Sequence, residues 1–284
     1  MERHEDTRSL QDECKSNAEV SLVSLFSGRF TEATSTGITT LESISFQICD
    51  IEGNARKDLE RLARYGISKA SGVARSYELT VKILRILAEF IGKPMNYEAI
   101  LGKLRSEYGH ICSLNTLKAY IADLRKMHVL ENSPAWKPEL NSRTDIRTKD
   151  TVYFIDSSIA AAALSLDSER LVEKIHIMAS LFENMAIRNL RIYAAESEGA
   201  VMHYRDRNGL ECDAVVVLPS GRFGLVEIKL GGLKLIKDGI ATLTKLEGLL
   251  REKPTFKMVL TAVGDEAFRV ENDILIVPFG MLGP

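Results

Sequence analysis

Asp213, Glu227 and Lys229 lie where the apolar pattern alternates with period two and where Pro219-Ser-Gly221 separates two apolar segments. A three-residue loop with its glycine in the left-handed region is a favoured hairpin connection. Leu218 then pairs with Arg222, and the same register carried back sets Asp213 directly across from Glu227. Like charges opposed in this way, about 5 Å apart at Cβ, destabilise a sheet. A hard divalent cation, Mg²⁺ or Mn²⁺, offsets them, since it takes one or two carboxylates and leaves its other positions to water and phosphate oxygens. Alternation also puts Lys229 on the face of Glu227, with Val226 and Ile228 on the other. A lysine there orients water or meets charge on a phosphate, so the expected chemistry is metal-dependent phosphodiester hydrolysis.

Glu183 is a further candidate for this site. It shares a helix face with Ala179, Ala186, Ile187 and Leu190, where a carboxylate costs more than it does in water. The bland alternative is a half-exposed side chain at the edge of the stripe, paired with Arg188 or Arg191.

Several elements must position these groups. Segments 201–204, 212–218 and 223–230 read as strands, a helix follows at about 235–250, and 257–262 and 274–277 supply two more strands. A long helix is expected from Ser168 to about Ala195, so the order is a mixed α/β one. Upstream, 78–91, 97–104 and 114–128 form a three-helix pattern with the outline of a helix-turn-helix, the third helix capped by Ser113. Its apolar face is Leu114, Leu117, Ile121 and Leu124, which leaves Lys118, Arg125 and Lys126 free for nucleic-acid phosphates. The segments 129–136 and 151–155 read as the paired strands of a wing whose loop holds Arg143, Arg147 and Lys149. Residues 113–150 carry seven Lys or Arg against five Asp or Glu. That weak cationic footprint leaves DNA contact and a spacer or protein-contact role both open. A short helix at 55–65 is expected to end at Gly66 as a left-handed cap, and 1–40 is expected to be loosely ordered in large part.

The 284 residues, 45% hydrophobic and 27% charged, suit two globular domains, and a net charge of −2 excludes a strongly basic surface overall. Cys14, Cys49, Cys112 and Cys212 show no metal-binding or redox spacing, which fits a reduced, cytoplasmic chain. No apolar run approaches the length of a membrane span, and no membrane association is expected.

The run Phe182-Glu-Asn … His203-Tyr-Arg-Asp-Arg-Asn-Gly-Leu-Glu-Cys-Asp213 … Leu225-Val-Glu-Ile-Lys-Leu-Gly231 resembles the PD-(D/E)XK nuclease-like domain at the C-terminus of prokaryotic AAA-type ATPases, a family of unknown function. Asn132-Ser-Pro-Ala-Trp136 and Phe154-Ile-Asp-Ser-Ser158 look like the winged-helix stretch of the same proteins. The resemblance covers about Glu78 to the end. It implies an N-terminal segment (1–76), a winged-helix-like domain (77–164) and a PD-(D/E)XK nuclease-like α/β domain (165–284). It also implies a helical Glu, a hairpin Asp and a Glu-x-Lys at Glu183, Asp213, Glu227 and Lys229. Segments 25–33 and 48–51 resemble the end of the ATPase lid. The chain has no G-x-x-x-x-G-K-[ST] loop, so no ATPase activity is expected from it, and the resemblance implies either a fragment of the longer protein or a split version with a separate ATPase subunit. Two functions compete: a Mg²⁺- or Mn²⁺-dependent nuclease acting on DNA, and a non-catalytic module that docks DNA or another protein. A degenerate remnant is the third possibility.

Overall fold

The computed structural model describes residues 20–30, 33–49, 54–109, 112–141 and 144–284. In chain order come β1 (Val20–Ser21), α1 (Leu22–Phe26), β2 (Ala33–Thr39), α2 (Leu41–Ile48) and α3 (Asn54–Arg61). One π-turn, Leu62–Gly66, joins α3 to α4 (Ile67–Ser71). There follow α5 (Tyr77–Ala88), α6 (Tyr97–Tyr108), α7 (Leu114–Lys126), β3 (Leu130–Ser133) and β4 (Thr151–Phe154). Next are α8 (Ser157–Ala163), α9 (Ser168–Glu173), α10 (Ile175–Ala195), β5 (Ala200–Arg205), β6 (Glu211–Val217) and β7 (Phe223–Lys229). The chain closes with α11 (Leu233–Leu249), β8 (Phe256–Thr261), β9 (Gly264–Val270), β10 (Ile274–Pro278) and β11 (Leu282–Gly283).

These elements form two compact units that interleave along the chain. The helical unit takes Glu42–Ala135 and Thr148–Arg188; the sheet unit takes the described residues up to Leu41, Trp136–Arg147 and Asn189–Pro284. The contiguous boundaries at 76 and 164 therefore do not coincide with the compact units.

In the helical unit Ser76, Asn96 and Ser113 cap α5, α6 and α7, each side chain accepting from the backbone N–H three residues on. Leu117, Tyr120, Ile121 and Leu124 of α7 are buried, and β3 pairs antiparallel with β4, Leu130 opposite Phe154 and Ser133 opposite Thr151. Asp123 of α7 accepts from Arg75 Nε at 2.9 Å. Buried Asn184 of α10 clamps the end of β4: its Oδ1 accepts from Phe154 N–H at 2.7 Å, and its Nδ2 donates to Phe154 O at 2.9 Å and Ser157 Oγ at 2.8 Å.

Beside the β1–β11 pair, the described residues of the sheet unit form a seven-stranded sheet in the order β2-β9-β10-β8-β7-β6-β5, with β7 parallel to β8 and the hairpins antiparallel. Its core joins Tyr204, Val215, Phe223, Leu225, Leu243 and Ile276, and into it the β3–β4 loop sends Trp136. The Trp136 ring lies 4.7 Å from that of Phe223, centroid to centroid.

Two expectations need correction. The helix at 55–65 does not stop at Gly66, whose φ is −60°; it runs on to Ser71 and is capped by left-handed Gly72. Gly66 lies against Met127 instead, where a Cβ would come 2.8 Å from the Cε at the flexible end of that side chain. The helix expected from 168 breaks at Lys174, which leaves helical geometry at φ −107°, ψ 62° with no proline or glycine to mark it. Of the segment 1–40, expected to be loosely ordered in large part, residues 1–19 and 31–32 lie outside the described residues, and in the rest β1 pairs with β11 and β2 with β9. A partner strand supplies there what Thr- and Ser-rich sequence does not announce by itself. Within the sheet unit, Trp136, Asn141 and Arg147 of the loop between β3 and β4 donate their backbone N–H groups to His203, Leu249 and Arg205. Arg143 lies outside the described residues.

Candidate carboxylate–lysine site

The β6–β7 hairpin has the register read from its loop. Leu218 N–H bonds to Arg222 O at 2.9 Å, Gly221 takes φ +83°, and Val217↔Phe223 through Ala214↔Val226 are in register. One step on, the ladder gives way to side chains. Asp213 Oδ2 accepts from Ile228 N–H at 2.8 Å and from Lys229 Nζ at 3.2 Å, while Lys229 Nζ lies 2.6 Å from Glu227 Oε2. The Asp213 N–H donates to Glu227. Alternation along β7 puts Glu227 and Lys229 on one face, and the hairpin with β6 brings Asp213 beside them.

The three are unequally exposed. Glu227 is buried at 3%, whereas the Asp213 and Lys229 side chains each keep 21% of their surface. Over Glu227 lies Gly239 of α11, where a Cβ would sit 3.5 Å from Glu227 Cβ and 3.1 Å from Val259 Cγ2. A glycine in the middle of a helical pattern was the signal for this close approach.

Burial, and then the Asp213 charge, push the Glu227 carboxyl up to about 8, against the pull of Lys229. Burial alone would lower Lys229, but Asp213 and Glu227 outweigh it and hold its ammonium above the ordinary lysine range. One ammonium faces two carboxylates, so the trio is short of positive charge. The other basic residues nearby in sequence are spent elsewhere: Arg205 pairs with Glu211, and Arg207 with Asp145 at 2.6 Å.

Glu183 is placed in the helical unit. Its Oε1 accepts from Tyr153 Oη at 2.7 Å, and its carboxylate packs against Gly92, where a Cβ would come within 2.6 Å. Among the described residues no group of three or more His, Cys, Asp or Glu side chains is arranged to hold a metal ion.

The α7 cations differ from one another. Lys118 and Lys126 are exposed, but Arg125 is half-buried and held by Tyr97 Oη at 3.3 Å and Asn132 Oδ1 at 3.0 Å. Cys49, Cys112 and Cys212 are free and buried; Cys14 lies outside the described residues. Among the described residues no helix is long and apolar enough to cross a membrane.

Residues 50–170 match the family model of a domain of unknown function, DUF8612. Residues 178–282 match that of a second domain of unknown function, DUF4143, which is typically found in AAA-ATPase-associated proteins. No curated protein and no solved structure matches the chain. Asp213, Glu227 and Lys229 all fall inside the DUF4143 match, so the chain is similar to that ATPase-associated domain over the whole of the candidate site.

Proposed function

We propose that this is a nucleic-acid-associated protein whose sheet unit is nuclease-like, of the PD-(D/E)XK kind, and hydrolyses phosphodiesters with one divalent cation. The observation that carries this reading is the buried Glu227 carboxylate forced beside Asp213 with a single ammonium between them. The order α10, β5, β6, β7, α11, β8, with the Asp on the second of the three strands and the Glu-x-Lys on the third, supports it. The helices α5–α7 with the β3–β4 ribbon support a winged-helix reading of the helical unit. The DUF4143 match supports association with an AAA-type ATPase.

The residues fit Mg²⁺ or Mn²⁺: two carboxylate donors on one face, one of them partly exposed, and a charge deficit that a divalent ion removes. Asp213 and Glu227 would hold it. When bound, such an ion polarises the phosphate and lowers the pKa of a bound water. Lys229 orients that water or meets the developing phosphate charge, and Gly239 keeps α11 close enough to exclude solvent behind Glu227.

Calorimetry with Mn²⁺, with and without DNA, tests the reading. Binding lost in Asp213→Ala and Glu227→Ala, and turnover lost with binding kept in Lys229→Ala, is the expected pattern. Glu183→Gln separates two roles for that residue. Weakened Mn²⁺ binding marks tuning of the metal, and lost stability with binding intact marks the Tyr153 contact.

A second reading, a non-catalytic docking module, draws on the closure of both carboxylates by Lys229 and on the lack of a three-ligand cluster among the described residues. Failure of the intact protein to bind Mn²⁺ under any of these conditions selects it.

A further inference from the structure

We infer that the helical unit binds single-stranded nucleic acid in an open cleft at the foot of α6 and α7, an inference that rests on the nucleic-acid half of the proposed function. The cleft has a volume of about 600 Å³. Its walls bring together Lys118 and Arg125 from α7, Lys149 from the approach to β4, and Tyr97 and Glu98 from the first turn of α6. Asp150, also in the wall, is engaged by Asn132, whose Nδ2 donates to it at 2.9 Å. Three cations thus face two carboxylates in a chain whose overall charge is negative.

Two features select a single strand over a duplex. The first is Tyr97, a half-buried ring amid the cations, with Lys118 Nζ 5.6 Å from its centroid and its hydroxyl held by Arg125. An aromatic platform inside a cationic groove is how sequence-tolerant single-strand sites are built, because every base has a face to stack. The second is the placement of the cations: Lys118, Arg125 and Lys149 line a groove that also holds Tyr97, the arrangement that tracks a single backbone.

Fluorescence anisotropy of the full chain in EDTA tests this without involving the metal site, using labelled oligothymidylate, oligouridylate and a DNA duplex of equal length. Tighter binding of either single strand than of the duplex is expected, and the two single strands together tell DNA from RNA. Tyr97→Leu should weaken single-strand binding about tenfold, the worth of one stacked base. Tyr97→Phe, which keeps the ring and loses only the Arg125 contact, should retain most of it. Lys118→Ala with Lys149→Ala should weaken binding and flatten its salt dependence. Equal or tighter duplex binding, or indifference to Tyr97→Leu and to the lysine pair, overturns the inference while leaving nucleic-acid association standing. No binding to any of the three also overturns the inference, and the proposed function is then judged by the Mn²⁺ calorimetry with DNA, which the metal-free assay does not touch.

Discussion

Asn184 does for Phe154 what a neighbouring strand would do, accepting from its N–H and donating to its carbonyl from within α10. Both residues are buried, so these groups have no water to fall back on. Asn184→Leu, close in volume and unable to bond, should destabilise the protein by about 2–4 kcal/mol. Urea unfolding checks it, and a loss well below 1 kcal/mol would mean that β4 is held by other contacts.

Stability should depend on pH through Glu227. Its carboxyl, raised to about 8 in the fold from an ordinary 4.5, favours the folded state when protonated. That contribution is complete below about pH 4.5 and is lost as pH rises towards 8. In EDTA, the wild type should therefore lose more stability than Glu227→Gln between pH 5 and 8, by an amount on the order of a few kcal/mol. Parallel stability curves for the two proteins would show that the carboxyl is already ionised in the fold.

Gly239→Val should insert methyl groups where α11 already meets Val259 and Glu227, at a cost of about 1–3 kcal/mol. It should also impair Mn²⁺ binding by shifting the Glu227 side chain. Unchanged binding together with lowered stability would confine the role of Gly239 to packing.

Trp136, the one tryptophan of the chain, packs on Phe223 and Tyr204. Its emission should be blue-shifted in the native protein and move red as the sheet unit unfolds. Trp136→Ala should cost about 3–5 kcal/mol. A native emission maximum typical of exposed indole would contradict the docking of the loop.

The sequence made the hairpin legible because one loop, Pro219-Ser-Gly221, determines every pair behind it, and Asp213 and Glu227 follow from that register. The capped helices α5, α6 and α7 were legible for the same local reason: a Ser or Asn stands at each start. What stayed hidden depends on distant partners. β2 has almost no apolar signature and exists by pairing with β9. Asn184 looked like any polar residue beside Glu183, because nothing local says that it meets Phe154. Trp136 read as the end of a wing strand, since sequence does not tell which core an isolated aromatic will enter. Gly66 resembled a cap, yet it marks contact with Met127.

The sheet unit draws on three separate stretches of chain, and β1 finds its partner β11 only at Leu282–Gly283. A ribosome therefore releases β1, β2 and the Trp136 arm long before the strands that receive them have been made. During synthesis these segments must wait with unpaired backbone and an uncovered indole ring, a nascent stage prone to misassociation and suited to chaperone capture. For the same reason, a fragment starting at residue 165 would lack β2 and Trp136. It would open an edge at β9 and a hole beside Phe223, so aggregation of such a fragment would report missing pieces, not an inherently unstable sheet unit.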